Sequence, residues 1–264
     1  MDLAMAKNIS SIKSLDKGIK LIEYIANYGE GVTIAELNKK FGFGKSTIHR
    51  LLSTFKAAEF VRQSSENSRY MLGFKIFELN HRFEGNNLLL KIGKKYLKEL
   101  CQITEETANI GVLDGKSVIY LAKEESLQQL RTTAPVGGRL PAHCTALGKA
   151  LLSSITNEQV QEQYPDIHHF IKSTEKSISD FRQLKKELDR IRTEGIAHDN
   201  EEAALGIRCL AVPIKNYTGR TIAAMSLSIP TQRATPPLIL KYSELLKKKG
   251  KAFSRELGHR WEEE

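Results

Sequence analysis

The sequence predicts an α+β protein of two domains, and three observations carry that prediction. Its 264 residues exceed an ordinary single domain. The first 73 residues contain three helix-period segments and then two short strand-like ones. Beyond residue 90, strand-like runs alternate with amphipathic helices, the order of a sheet covered by helices. The expected division is therefore a first domain at 1–73, a linker helix at 74–90 and a second domain at 91–264.

The first helix is read from "SLDKGIKLIEYIANYGEG", where Leu15, Ile19, Ile22 and Ala26 are expected to share the apolar face and Gly29 and Gly31 to end it. The second, "TIAELNKKFG", opens with Thr33 and has Glu36 three residues on, a pair that can cap a helix start reciprocally. It ends near Gly42. In the third, "GKSTIHRLLSTFKAAEF", Ile48, Leu51, Leu52 and Phe55 follow helical spacing and face inward, which turns Ser46, His49, Arg50 and Ser53 outward. "FVRQ" and "RYMLG" then flank the polar stretch "SSENS" as a two-stranded wing. Three helices and a hairpin in this order describe a winged helix-turn-helix.

Within the third helix, Gly44-Lys45-Ser46-Thr47 imitates the end of a nucleotide-binding loop. That loop needs an earlier glycine where Lys39 stands, and it follows a strand rather than a helix, so the reading fails. The same residues suit DNA. Lys45, Ser46 and Thr47 lie at a helix N-terminus that favours phosphate. His49, Arg50 and Ser53 occupy the outward face, Arg50 with the two parallel donors that guanine O6 and N7 accept. On the wing, Arg69 is expected to reach the DNA backbone or minor groove. One winged helix contacts few base pairs, so a homodimer or tetramer on double-stranded operator DNA is expected.

Composition agrees. A net charge of +9 favours an anionic partner, and +4 of it falls in residues 1–80. With 41% hydrophobic and 27% charged residues, the chain is globular rather than disordered. Cys101, Cys144 and Cys209 are widely separated, which excludes a disulfide framework and a four-thiolate zinc site. With no membrane-length apolar run and no signal peptide, a cytoplasmic location is expected, with no cofactor and no metal.

Residues 72–100 read as helix again, with Leu79, Phe83, Leu88, Leu89, Leu90 and Ile92 interrupted by "EGNN", a linker and a contact surface between subunits. "ANIGVLDGKSVIYLA" is a hairpin about Asp114-Gly115. "ISDFRQLKKELDRIRTEG" is an amphipathic helix stopped by Gly195, and "IRCLAVPIK" and "TIAAMSLSI" are strands joined by "NYTGR". The basic tail "KKKGKAFSRELGHR" reads as a solvated helix, or else as a second anionic contact.

"SLDKGIKLIEYI", "TIAELNKKFGFGKSTIHRLL" and "YMLG" resemble the winged helix-turn-helix of the IclR family of bacterial transcriptional regulators. "RLPAHCTALGKALLS" and "GIAHDNEEAALGIRCLAVPIKN" resemble the effector-domain motifs of the same family. The resemblance runs from Lys13 to Arg233. It implies a GAF-like or profilin-like α+β effector domain that binds a small metabolite and alters DNA binding, expected here in a repressor. It places the effector beside Ala146, Leu147, Asp199, Cys209, Ser226 and Ser228. Three positions depart from the family pattern: Asn38 replaces a small alanine, Glu59 the glycine after the recognition helix, and Lys215 an aromatic or histidine.

Those pocket residues suit a small organic acid or sugar-derived metabolite. Thr145 can cap a helix whose first amides, at Ala146 and Leu147, would meet a carboxylate. Ser226 and Ser228, two apart on a strand, put both hydroxyls on one side. Asp199, being negative, is expected to accept from a ligand hydroxyl or a backbone amide. The competing reading is a thiol-dependent or metal-binding enzyme built from Cys144 or Cys209 with His143 or His198.

Overall fold

The computed structural model describes residues 12–85, 87–130 and 135–261. The chain forms two compact units, Met1–Asn86 and Asn87–Glu264. Residues 1–11, and Asn86 of the expected "EGNN" interruption, lie outside the described residues.

The first unit contains α1 (Lys13–Ala26), α2 (Ile34–Phe41), α3 (Lys45–Ala57), β1 (Val61–Gln63), β2 (Tyr70–Leu72) and α4 (Lys75–Gly85). Its core gathers Leu21, Ile25, Val32, Leu37, Ile48, Leu52, Val61 and Tyr70. The inward face of α1 differs from the expected one. Gly18, Leu21 and Ile25 are buried, whereas Leu15 and Ile19 are 57% and 49% exposed. The helix carries two apolar stripes, and the glycine at 18 decides between them: a Cβ there would come 2.9 Å from the Phe55 ring, so that side lies closest to α3.

At α2 the reciprocal cap forms as read. The Glu36 amide donates to Thr33 Oγ1 at 3.2 Å, and the Thr33 amide donates to Glu36 Oε2 at 2.7 Å. Gly42 ends the helix at φ +66°. Asn38 donates through Nδ2 to the Phe43 carbonyl at 2.7 Å, so the polar replacement braces the turn into α3. After α3 the left-handed turn survives without glycine: Glu59 sits at φ +61°, and the Phe60 amide reaches back to the Phe55 carbonyl at 2.9 Å. The wing pairs β1 and β2 antiparallel, Val61 opposite Leu72 and Gln63 opposite Tyr70. Val32 joins its edge by two backbone bonds with Tyr70.

The second unit runs α5 (Leu88–Thr104), β3 (Thr107–Asp114), β4 (Ser117–Glu124), β5 (Arg139–Pro141), a 3-10 turn (Ala142–Cys144), α6 (Ala146–Leu152), α7 (Asn157–Gln163), α8 (Phe181–Glu194), β6 (Ala197–Asn200), β7 (Ile207–Lys215), β8 (Thr221–Pro230) and α9 (Pro236–Glu256). The strands form one antiparallel sheet in the order β5-β4-β3-β8-β7-β6. α5 and α9 cover one face, with Leu97, Leu100, Leu246 and Phe253 against Ile110, Met225 and Leu227. α6, α7 and α8 cover the other, with Leu147, Ala150, Leu184 and Leu188 against Ala197, Ala211 and Ala224. Small alanines on the strands let α6 lie close to the sheet.

The basic tail belongs to α9. Gly250, Phe253 and Ser254 face the core, while Lys249 pairs with Glu99 at 2.5 Å and Lys247 with Glu244 at 3.3 Å. Lys215 lies over Trp261, 5.3 Å from the ring centroid. Among the described residues, no helix is long and apolar enough to cross a membrane.

Candidate functional site

On α3, Lys45, Ser46, His49, Arg50 and Ser53 are exposed and Thr47 is half-buried. Burial of Ile48 and Leu52 on the opposite side fixes this orientation, because helical periodicity cannot turn both faces inward. The helix starts at Gly44, which supplies no side-chain cap, and its first turn contains no acid. Its leading amides and Lys45 are thus available to an anion. Neither Lys45 nor Arg50 is engaged in an ion pair among the described residues. His49 Nδ1 and Ser53 Oγ are 3.5 Å apart, one turn from each other on the same surface.

Arg69, beside the wing, is bonded within its own unit. Its guanidinium donates to the Gly31 carbonyl at 2.8 Å and to both Glu36 carboxylate oxygens at 3.2 Å. Glu36 already caps α2, so the wing strand, the turn before α2 and the start of α2 are joined through one carboxylate. Backbone and hydroxyl donation from Thr33, and then Arg69, hold that carboxyl below its ordinary pKa. Arg69 thereby braces the wing against α2.

In the second unit, strand register assembles a polar patch beneath α6. Asp199 lies opposite Cys209, Cys209 opposite Ser228 and Ser228 opposite Thr107; one step along, Ala211, Ser226 and Asn109 form the neighbouring row. Asn109 Nδ2 donates to Ser226 Oγ at 3.4 Å and to Ser228 Oγ at 3.2 Å, and Cys209 Sγ to Ser228 Oγ at 3.4 Å. Above them Thr145 caps α6, its hydroxyl accepting from the Gly148 amide at 3.1 Å. Gly148 is required there, since a Cβ would fall 2.2 Å from the Ala142 carbonyl oxygen. Ala146, Leu147, Asp199, Ser226 and Ser228 are all buried, and Cys209 is half-buried.

Asp199 Oδ1 accepts from the amides of Glu202 and Ala203 at 2.7 and 3.3 Å. Burial outweighs these bonds and, helped by the nearby Glu202 charge, raises its pKa to about 7. Beside it Lys149, 1% exposed, donates to Glu202 Oε1 at 2.6 Å and lies 3.7 Å from Glu187. Glu202 Oε2 is buried with no partner among the described residues.

Sequence reasoning passed over Asn109, Lys149 and Glu202. Two of them leave a trace: Asn109 is the polar residue inside "ANIGVL", and Lys149 the one charge inside "ALGKALL". A polar group in an otherwise buried run needs a partner, and that requirement is the available signal. An open recess of about 1180 Å³ lies elsewhere on this unit, lined in part by Arg192, Lys215, Arg220 and Trp261, and contains none of the expected effector residues.

The thiol and metal reading gains nothing from the geometry. Burial raises the Cys144 thiol to about 11 and pushes Cys209 up as well, so both stay protonated near neutrality. Cys144 Sγ contacts Ser173 Oγ and the Pro141 carbonyl, each at 3.6 Å, while His143 Nε2 is 3.0 Å from the Ile171 carbonyl. Burial lowers the pKa of His143 and of His198, and neither imidazole bonds a thiol among the described residues. No group of three His, Cys, Asp or Glu among the described residues is placed to hold a metal ion.

A helix-turn-helix unit followed by an α+β domain with a buried polar patch fits a ligand-responsive DNA-binding regulator, and comparison with known proteins identifies which kind. The IclR helix-turn-helix domain matches residues 14–65, and the bacterial transcriptional regulator IclR C-terminal domain matches residues 85–255. The chain belongs to the IclR family of bacterial transcriptional regulators. It is 32% identical to the HTH-type transcriptional regulator KdgR of Escherichia coli over 253 residues, 96% of this chain and 95% of that one. It is 33% identical to the transcriptional repressor IclR of E. coli over 260 residues, 97% and 94% of the two chains. The crystal structure of Thermotoga maritima IclR superimposes with a TM-score of 0.80 at 28% identity, covering 94% of this chain and all of that one. An IclR homologue from Microbacterium hydrocarbonoxydans, complexed with 4-hydroxybenzoate, shares the fold at TM-score 0.77 and 20% identity, over 92% and 98% of the chains.

Proposed function

We propose that this regulator is a cytoplasmic repressor without catalytic activity, whose α3 enters the major groove of its operator and whose second unit binds a small carboxylate that changes operator affinity. The observation that carries the reading is the exposed, acid-free face of α3, with Lys45, Ser46 and Thr47 at the phosphates and His49, Arg50 and Ser53 towards the bases. The effector is a small organic acid or sugar-derived metabolite. It lies between the first amides of α6, at Ala146 and Leu147, and the patch of Asp199, Cys209, Ser226 and Ser228. The 4-hydroxybenzoate bound by the Microbacterium homologue, itself a small carboxylate, supports that class. The operator complex is built on a homodimer or a tetramer.

A mobility-shift titration with the DNA upstream of this protein's own gene tests the reading. A complex that withstands unrelated competitor DNA at about 150 mM salt is expected, because non-specific phosphate binding weakens steeply with salt. Loss of the shift under competition would remove operator recognition from the account.

A further inference from the structure

We propose that Asn109 is a specificity-determining residue of the effector pocket and that the effector is a hydroxy acid, its carboxylate received by the serine hydroxyls and a hydroxyl beside it read by the Asn109 carbonyl. The inference deepens the carboxylate reading above and rests on it.

Asn109 is 1% exposed and stands on β3 directly across from Ser226 and diagonal to Ser228. Its Nδ2 group divides its donation between the two serine oxygens, while its Oδ1 is buried with no partner among the described residues. A buried amide oxygen left unpaired loses its water without recompense, so such an atom marks a place where a donor is supplied from elsewhere. The serines do not supply it, since no hydroxyl lies within hydrogen-bond distance of Oδ1 among the described residues. Ser228 Oγ accepts from Asn109 and from Cys209, and Ser226 Oγ accepts from Asn109. Their own O–H groups, each a single donor, remain free for a ligand.

The patch thus offers two hydroxyl donors side by side and one carbonyl acceptor next to them. A bare carboxylate, which only accepts, satisfies the donors and leaves Oδ1 orphaned. A polyol without a carboxylate satisfies Oδ1 and gives no anion to the serines. A hydroxyl adjacent to a carboxylate meets both needs in one small group. Sites built to bond a ligand hydroxyl reject the analogue lacking it, because the buried partner is then left unpaired.

The test is a thermal-shift and calorimetric comparison on the full chain with matched probes: butyrate, 2-hydroxybutyrate, gluconate and glucitol. Wild type is expected to bind the two hydroxy acids about ten- to a hundredfold more tightly than butyrate, with glucitol weakest. In Asn109→Leu, and in Asn109→Ala should the first change unfold the domain, butyrate and 2-hydroxybutyrate are expected to bind alike. Equal wild-type affinity for butyrate and 2-hydroxybutyrate, or a hydroxyl preference that outlives both substitutions, overturns the role of Asn109 while leaving the carboxylate effector standing. If no acid binds wild type at all, the carboxylate reading falls and this inference with it.

Discussion

Residues of one type are differently engaged within the first unit. Arg50 and Arg69 are both arginines of the first unit, yet one is uncommitted and the other bonds Gly31 and Glu36. Arg50→Ala is expected to cost about 1–3 kcal/mol of operator binding and to relax preference at one base position, measured by competition against single-base operator variants. Arg69→Ala is expected to leave that preference intact and to lower the first unit's stability by about 1 kcal/mol or less, since its ion pair is largely solvated. Glu59, at φ +61°, occupies a backbone region that costs an L-residue about 1–2 kcal/mol. Glu59→Gly should raise the denaturation midpoint, by somewhat less because glycine also frees the unfolded chain. Asp199 gives a pH signature. Its native pKa of about 7 exceeds the ordinary carboxylate value, so the native state holds more protons than the unfolded one between about pH 4 and 7. Stability contributed by the protonated group is thus full at acid pH and lost as pH rises through that window. Asp199→Asn should flatten the fall in melting temperature across it, with Glu202, whose pKa is also raised, acting in the same sense and His143 and His198, whose pKa values burial lowers, in the opposite one.

Among the elements, α6 most depends on a paired charge. Lys149 stands in a seven-residue helix whose residues are all buried, held by Glu202 and approached by Glu187. Lys149→Met is expected to cost roughly 3–5 kcal/mol, because it strands a buried carboxylate, and Lys149→Met with Glu202→Leu should recover much of that. Urea denaturation of the two variants checks it: equal losses would mean that the pair is not coupled. The same elements show what periodicity conveys. Helix faces, the Thr33 cap, the left-handed glycines at 42 and 195 and the Asp114-Gly115 hairpin were legible because each is a local rule obeyed by neighbours in sequence. α1 was misread because two apolar stripes compete on it, and only the tertiary fit of Gly18 against Phe55 chooses between them. Lys149–Glu202 and Arg69–Glu36 join residues 53 and 33 positions apart, so no local pattern could announce them. Ser226 and Ser228 were legible as a same-side pair, whereas their partner Asn109 lies more than a hundred residues away on another strand.

For the molecule as a whole, the stripe that α1 does not bury carries the argument about assembly. Ile12, Leu15 and Ile19 are 69%, 57% and 49% exposed, and beside the wing Phe74, Phe77 and Phe83 are 74%, 71% and 53% exposed. These are large apolar side chains at helical spacing on α1 and along α4, more than solitary surface hydrophobics would give. A two-fold contact through these stripes would bury them and present two copies of α3 to one face of DNA. The full chain is therefore expected to sediment as a dimer or a multiple of it, and footprinting should show two protected half-sites about one helical turn apart or a multiple of that. Phe77→Glu together with Phe83→Glu should shift the chain towards the monomer. Operator affinity should then fall far more than Arg50→Ala lowers it, because each half-site would have to be bound separately and the gain from linkage would be lost. A doubly substituted chain that kept both its mass and its footprint would move the subunit contact off α4, leaving the recognition face of α3 as it stands.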